Sequence, residues 1–137
     1  MKFNYDMRVD WRSNGKADHK DGIALGAVVA GASTSGLSTE KALSVPQMRK
    51  VFEAANQSRD VTILIRLDAK PFFPLKRAFD FMVIEIHDAT STGKLIVTAK
   101  CHDLTIVGDS KVKTGDGWFE AITLDLSKDE DFETTLP

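Results

Sequence analysis

The chain has 137 residues, with 18 Lys and Arg against 20 Asp and Glu, a formal net charge of -2, and 42% hydrophobic residues. That length fits a single domain over residues 1–137 that buries its own core, and one cysteine rules out an internal disulfide framework and fits a reducing compartment. The balanced charge argues against a dedicated duplex binder, which carries a basic excess, and no apolar run reaches the ~20 residues of a membrane-spanning helix.

The opening MKFNYDMRVDW is no secretory signal. Phe3, Tyr5, Met7, Val9 and Trp11 alternate with Lys2, Asn4, Asp6, Arg8 and Asp10, the period-two pattern of a half-buried strand. Residues 12–22 are polar with two glycines and read as a turn or a long hairpin loop. The Gly/Ala-rich stretch 23–31 reads as a second strand, because Gly26 and Gly31 weaken a helix. Residues 32–40 have no period and read as an exposed loop. Ser44 then offers an N-cap, Pro46 sits in the first turn, and Gln47 completes a capping-box spacing. Val45, Met48, Val51, Phe52 and Ala55 recur at helical spacing, with Arg49, Lys50 and Glu53 outside. The main helix is expected at about 44–56.

The second half reads mainly as strand. Residues 61–68 are β-branched and compact. Pro71 and Pro74 precede LKRAFD, which predicts a short helix at about 74–80 packing Phe72, Phe73, Leu75 and Phe79. Strands are expected at 81–88, 94–108 (bent near His102–Asp103) and 118–126, with 109–117 a polar loop and 127–137 an extended acidic tail. Strands follow one another without regular intervening helices, which disfavours a doubly wound parallel sheet. The expected fold is mainly β (α+β): an antiparallel β-sandwich or small barrel carrying one main and one short helix.

His87–Asp88 and His102–Asp103 are the pairs that would suit metal binding or proton sharing. A turn at Thr90 to Thr92 places His87 opposite about Leu95 and His102 at the other end of the hairpin. A joint site is therefore not expected: His87–Asp88 opens a turn and His102–Asp103 marks a bulge. Cys101 shares a register with Leu95, Val97 and Ala99, while adjacent His102 points to the opposite face, so the thiol reads as core. Glu85 and Arg66 read as members of wetted strand faces. No phosphate-binding glycine loop, nucleophile elbow or zinc motif occurs. No catalytic, cofactor or metal residue is assigned, and no enzyme activity is expected. Two alternatives carry distinct tests. Arg8, Arg12, Lys16 and Lys20 beside Tyr5 and Trp11, with Lys111 and Lys113 elsewhere, would suit a single-strand nucleic-acid-binding barrel. A small enzyme using His102, Asp103 or Cys101 would need at least two of these side chains to converge in one pocket.

The segment VTILIRLDAKPFFPLKRAFDFMVIEIHDATSTGKLIVTAKCHDLTIV, followed by WFEAITLDLSKDEDFETTLP, resembles the pattern of phage and contractile-injection tail-tube proteins over residues 61–137. A strand leads to a short helix, a hairpin follows, and a last strand ends in a polar tail. The resemblance implies a self-assembling structural subunit of stacked rings, commonly sixfold, around a lumen that passes DNA or protein. Its partners would be further copies of itself and other virion or tail proteins, with DNA only a non-specific passenger. Its location would be a virion or the bacterial cytoplasm, with no membrane partner. A near-neutral lumen avoids the counterion-release attraction that basic side chains create with phosphates. Loop 12–22 would bridge rings, and loop 32–40 would reach a neighbour. Open sheet edges would be covered by adjacent subunits.

Overall fold

The computed structural model describes residues 4–31, 44–66, 78–90 and 93–137. Among these, the chain order is β1 (Tyr5–Ser13), β2 (Lys16–Ala30), α1 (Val45–Ser58), β3 (Asp60–Arg66), β4 (Ala78–Asp88), β5 (Leu95–Thr114), β6 (Gly117–Asp125) and β7 (Glu133–Thr135). The strands lie in the order β4-β1-β2-β3-β6-β5-β7, and β4 also pairs with β5. That extra pairing closes β1 to β6 into an antiparallel barrel, so the barrel branch of the expectation holds.

The alternation read from the N-terminus places Tyr5, Met7 and Val9 inside, at 8%, 2% and 1% exposure. Phe3 lies outside the described residues. Opposite them stand Ile84 and Ile86 of β4, which in turn face Ala99 and Val97 of β5. Directly paired residues share a sheet face, so these three strands contribute one continuous inner layer. Val61, Ile63 and Ile65 of β3 and Ile122 and Leu124 of β6 complete it. The centre is filled: the void among Met7, Val9, Ile63, Met82, Ile84 and Leu124 holds about 10 Å³, roughly one water. This barrel is a packed core and has no ligand chamber at that point.

Helix α1 begins as the sequence indicates. The Ser44 side chain accepts the Gln47 amide, the Gln47 side chain accepts the Ser44 amide, and Pro46 sits in the first turn. The helix ends at Arg59, whose left-handed backbone (φ 61°) lets its amide donate to the Ala55 carbonyl. Met48, Phe52 and Ala55 join the main core. Arg49, expected outside, is half-buried and donates from Nε to the Ile96 carbonyl of β5.

Several expected loops are instead strand. Residues 12–22 belong to a hairpin with a two-residue turn at Asn14–Gly15, both at positive φ (52° and 77°), as a type I′ turn requires. The polar residues 16–20 pair all the same, since ladder hydrogen bonds need no apolar side chains, and Asp21–Gly22 form an irregularity opposite Met7–Val9. Residues 109–117 likewise form two hairpin arms, closed where Thr114 pairs with Gly117. The short helix expected at about 74–80 is corrected at its end: Ala78, Phe79 and Asp80 belong to β4. Phe79 faces Leu104 at 2% exposure, and that pairing overrides a weak local helical pattern. Residues 74–77, with Phe72, Phe73 and Leu75, lie outside the described residues, as does the loop 32–40. The tail expected to extend at 127–137 turns back, and Glu133–Thr135 pairs with Thr98–Lys100 of β5.

A second, smaller cluster of Leu64, Phe119 and Ala121, with Ala27 and Val112 packed on it, lies on the opposite face of β3 and β6. Gly26 permits it, because a Cβ there would stand 2.7 Å from a Phe119 ring carbon. Phe119 is 1% exposed and packs against Leu64 and Ala121. Gly26→Ala should therefore destabilise the fold by about 1–3 kcal/mol through overpacking, read as a lower urea midpoint, and Gly26→Ala combined with Phe119→Leu should recover part of that loss.

Candidate functional site

The catalytic alternative places three side chains near one another in sequence, and the strand geometry separates them. Cys101 points into the core opposite Met82 at 1% exposure. Burial first, and the nearby Asp129 charge second, push its thiol up to about 12, so it is not a nucleophile at neutral pH. His102 lies on the other face, opposite Phe81, their ring centroids 5.1 Å apart. Asp103 has a left-handed backbone (φ 49°) and an exposed side chain, the irregularity expected there.

His87 faces Leu95, at the far end of the hairpin from His102. Its Nε2 lies 3.1 Å from Glu85 Oε1 and its Nδ1 3.1 Å from the Gly93 carbonyl. Burial disfavours the charged ring, but the Gly93 carbonyl and the Glu85 carboxylate outweigh it and raise the pKa. Asp88 accepts both the amide and the hydroxyl of Thr90, which lowers its pKa and fixes the turn. Among the described residues no group of three or more His, Cys, Asp or Glu could hold a metal ion.

One residue that sequence reasoning missed explains the His102 region. Asp129 is fully buried. Its Oδ2 accepts the His102 amide at 2.8 Å, and its Oδ1 accepts the Asp131 amide and lies 3.8 Å from His102 Nδ1. Arg59 donates to the carbonyls of both Asp129 and Leu126. A charged acceptor makes the stronger class of hydrogen bond, so this carboxylate fastens the C-terminal segment to β5. Nothing in SKDEDFETTLP marks Asp129 apart from its three acidic neighbours; only burial does.

The nucleic-acid alternative depends on free cations near exposed aromatics. Arg8 is committed to two carboxylates, Asp10 at 3.1 Å and Asp21 at 3.2 Å. Tyr5 is buried and Trp11 half-buried, as expected of core positions. An open groove of about 250 Å³ does lie on the β1–β2 hairpin, lined by Asp10, Trp11, Arg12, Ala17, Asp18, His19 and Phe81.

The surface features that remain are apolar. Val107, Trp118 and Leu136 are the large hydrophobic side chains left exposed among the described residues, at 56%, 53% and 47%. Val107 and Trp118 sit on the β5–β6 hairpin. Its arms run from Thr105–Asp125, past an irregularity at Val107, to the turn at Gly115–Asp116, and among the described residues β3 pairs with β6 as far as Phe119. Lys113 stands opposite Trp118 with its Nζ 5.8 Å from the indole centroid. Glu120, behind it, is buried and faces Lys111 across the ladder.

No family model and no curated protein matches the sequence. Solved structures do resemble the fold. The Hcp1 protein from the E. coli EAEC 042 pathovar matches with a TM-score of 0.50 at 9% identity, over 98% of this chain and 99% of that one. Hcp1 from Salmonella typhimurium matches at 0.49 and 12% identity, over 90% and 83%. A type six secretion system protein matches at 0.41 and 15%, over 89% and 79%. The chain thus shares the fold of the E. coli Hcp1 protein.

Two measurements check the roles of the buried groups. Removing the carboxylate in Asp129→Ala strands the His102 amide, so the urea midpoint should fall by the equivalent of about 1–3 kcal/mol, with faster proteolysis within 127–137. For Cys101, the folded thiol ionises near 12 against an ordinary value of 9.0. The unfolded thiol loses its proton first as pH rises, so stability should fall from about pH 9 towards 12. Cys101→Val should remove that share of the alkaline slope and leave the share from other groups such as Tyr5, whose pKa is also raised by burial.

Proposed function

We propose that this chain is a structural subunit that assembles with copies of itself into rings and stacks them into the tube of a contractile injection machine. The observation that carries the reading is the shared fold with the E. coli Hcp1 protein across nearly the whole of both chains. The resemblance of residues 61–137 to tail-tube proteins adds to it. So does the distribution of apolar surface: the barrel is filled at its centre, and among the described residues the large exposed hydrophobic side chains stand on the β5–β6 hairpin and at the C-terminal segment. A catalytic site would need the reverse, a cleft gathering titratable groups.

The passenger of such a tube would be protein or DNA, held off by a lumen that does not grip phosphates. The subunit would work without enzyme activity, in the bacterial cytoplasm or in the particle it builds. Sedimentation of the purified chain, with negative-stain imaging, tests the proposal. Rings of uniform diameter, most simply sixfold, should appear as concentration rises. A strict monomer at the highest soluble concentration, with no ring in the images, would overturn the reading.

A further inference from the structure

We propose that His87 works as a proton-operated clasp on the β4–β5 turn: its doubly protonated ring ties the Gly93 carbonyl, beyond the turn, to the Glu85 carboxylate before it, and deprotonation releases one of the two ties.

The partners of the ring carry this assignment. Nδ1 lies 3.1 Å from the Gly93 carbonyl oxygen, and Nε2 lies 3.1 Å from Glu85 Oε1. A carbonyl only accepts hydrogen bonds, and so does an ionised carboxylate. A neutral imidazole has one N–H, so it would satisfy one of these partners and set a lone pair against the other. The imidazolium has two N–H groups and satisfies both, and its charge strengthens each bond. The two side chains are 30% and 31% exposed, so water only partly screens the pair.

The charges around the ring come from each neighbouring strand. On β1, Asp6 stands opposite His87 and Arg8 opposite Glu85, and paired residues share a sheet face. Arg8 is held by Asp10 and by Asp21 of β2. On β5, Leu95 faces His87 and Thr98 faces Glu85, and Lys94 stands exposed just before that strand. Asp88, next along the chain, accepts the amide and hydroxyl of Thr90. Burial works against the charged ring, but the Gly93 carbonyl, Glu85 and Asp21 outweigh it and raise the pKa above the ordinary 6.5.

The place of the clasp gives it leverage. The β4–β5 pairing closes the barrel, and the ring sits where that ladder shifts register, between Ile86 and His87. Just beyond it the Asp88 amide donates to the Lys94 carbonyl, and the Ala89 amide donates to the Asn4 carbonyl ahead of β1. A folded-state pKa above the unfolded value means that the clasp contributes in full below about pH 6.5 and is lost as pH rises through the folded midpoint.

The test is a pH titration of the full chain by NMR, with circular dichroism confirming the fold of each variant. The His87 ring should titrate above 6.5, and Glu85→Gln, which keeps an acceptor but removes the charge, should lower that midpoint. The hydrogen-exchange protection factor of the Asp88 amide should fall about tenfold as pH rises through the His87 midpoint, and in His87→Gln it should stay level over the same range. A His87 midpoint at or below 6.5, or one that Glu85→Gln leaves unmoved, would overturn the doubly protonated ring. The same pH dependence of Asp88 protection in the wild type and in His87→Gln would overturn the clasp. Each readout concerns the turn of a single chain, so it is independent of whether copies assemble.

Discussion

Everything in this fold depends on β4 pairing on both edges. A sheet edge presents a row of unsatisfied N–H and C=O groups and invites association with any other strand. Here β4 pairs with β1 from Arg12–Phe81 to Tyr5–Asp88, and with β5 from Ala78–Thr105 to His87–Leu95. Both ladders put Met82, Ile84 and Ile86 on the inner face, where Val9 and Met7, Ala99 and Val97 meet them. Closure and core formation are thus the same event. Six strands are a small number for a barrel, and the interior is correspondingly just wide enough for side chains to fill.

Closure has a consequence at the ends. A strand of 20 residues, β5, outlasts its partners: β4 occupies one edge from Leu95 to Thr105, while β7 and then β6 share the other. The chain accommodates this change of partners with the left-handed residue Asp103 and a register shift between Ile106 and Gly108. What remains is the end of the β5–β6 hairpin that carries Lys113 and Trp118. The C-terminal segment covers the β5 edge at Thr98–Lys100, and Asp129 secures it against the His102 backbone. The long hairpins are therefore paired strand along their length.

Much of this was legible in particular residues. Tyr5, Met7 and Val9 declared an inner strand face because period two cannot be mistaken for period 3.6 over ten residues. Ser44, Pro46 and Gln47 declared the start of α1 because capping is satisfied locally. The same held for Cys101, whose register with Val97 and Ala99 marked it as core. Residues 16–22 and 109–114 were read as loops because they are polar, and polarity is only a correlate of loops. A two-residue turn holding both φ values positive forces the flanking residues into register whatever their side chains. Phe79 misled in the opposite sense: its local company looked helical, and its fate was set by Leu104, 25 positions away in the chain.

The candidate surface divides along the same line. Alternation, capping and the absence of any nucleotide or metal motif are properties of neighbouring residues, so the sequence by itself determined the β-rich class, the single main helix and the inert core thiol. Which of four clustered acidic residues is buried, and that Trp118 is exposed while its neighbours Phe119 and Glu120 are buried, depend on contacts between distant segments. Only the tertiary structure decided those, because loop closure and strand pairing act over separations that no local periodicity encodes.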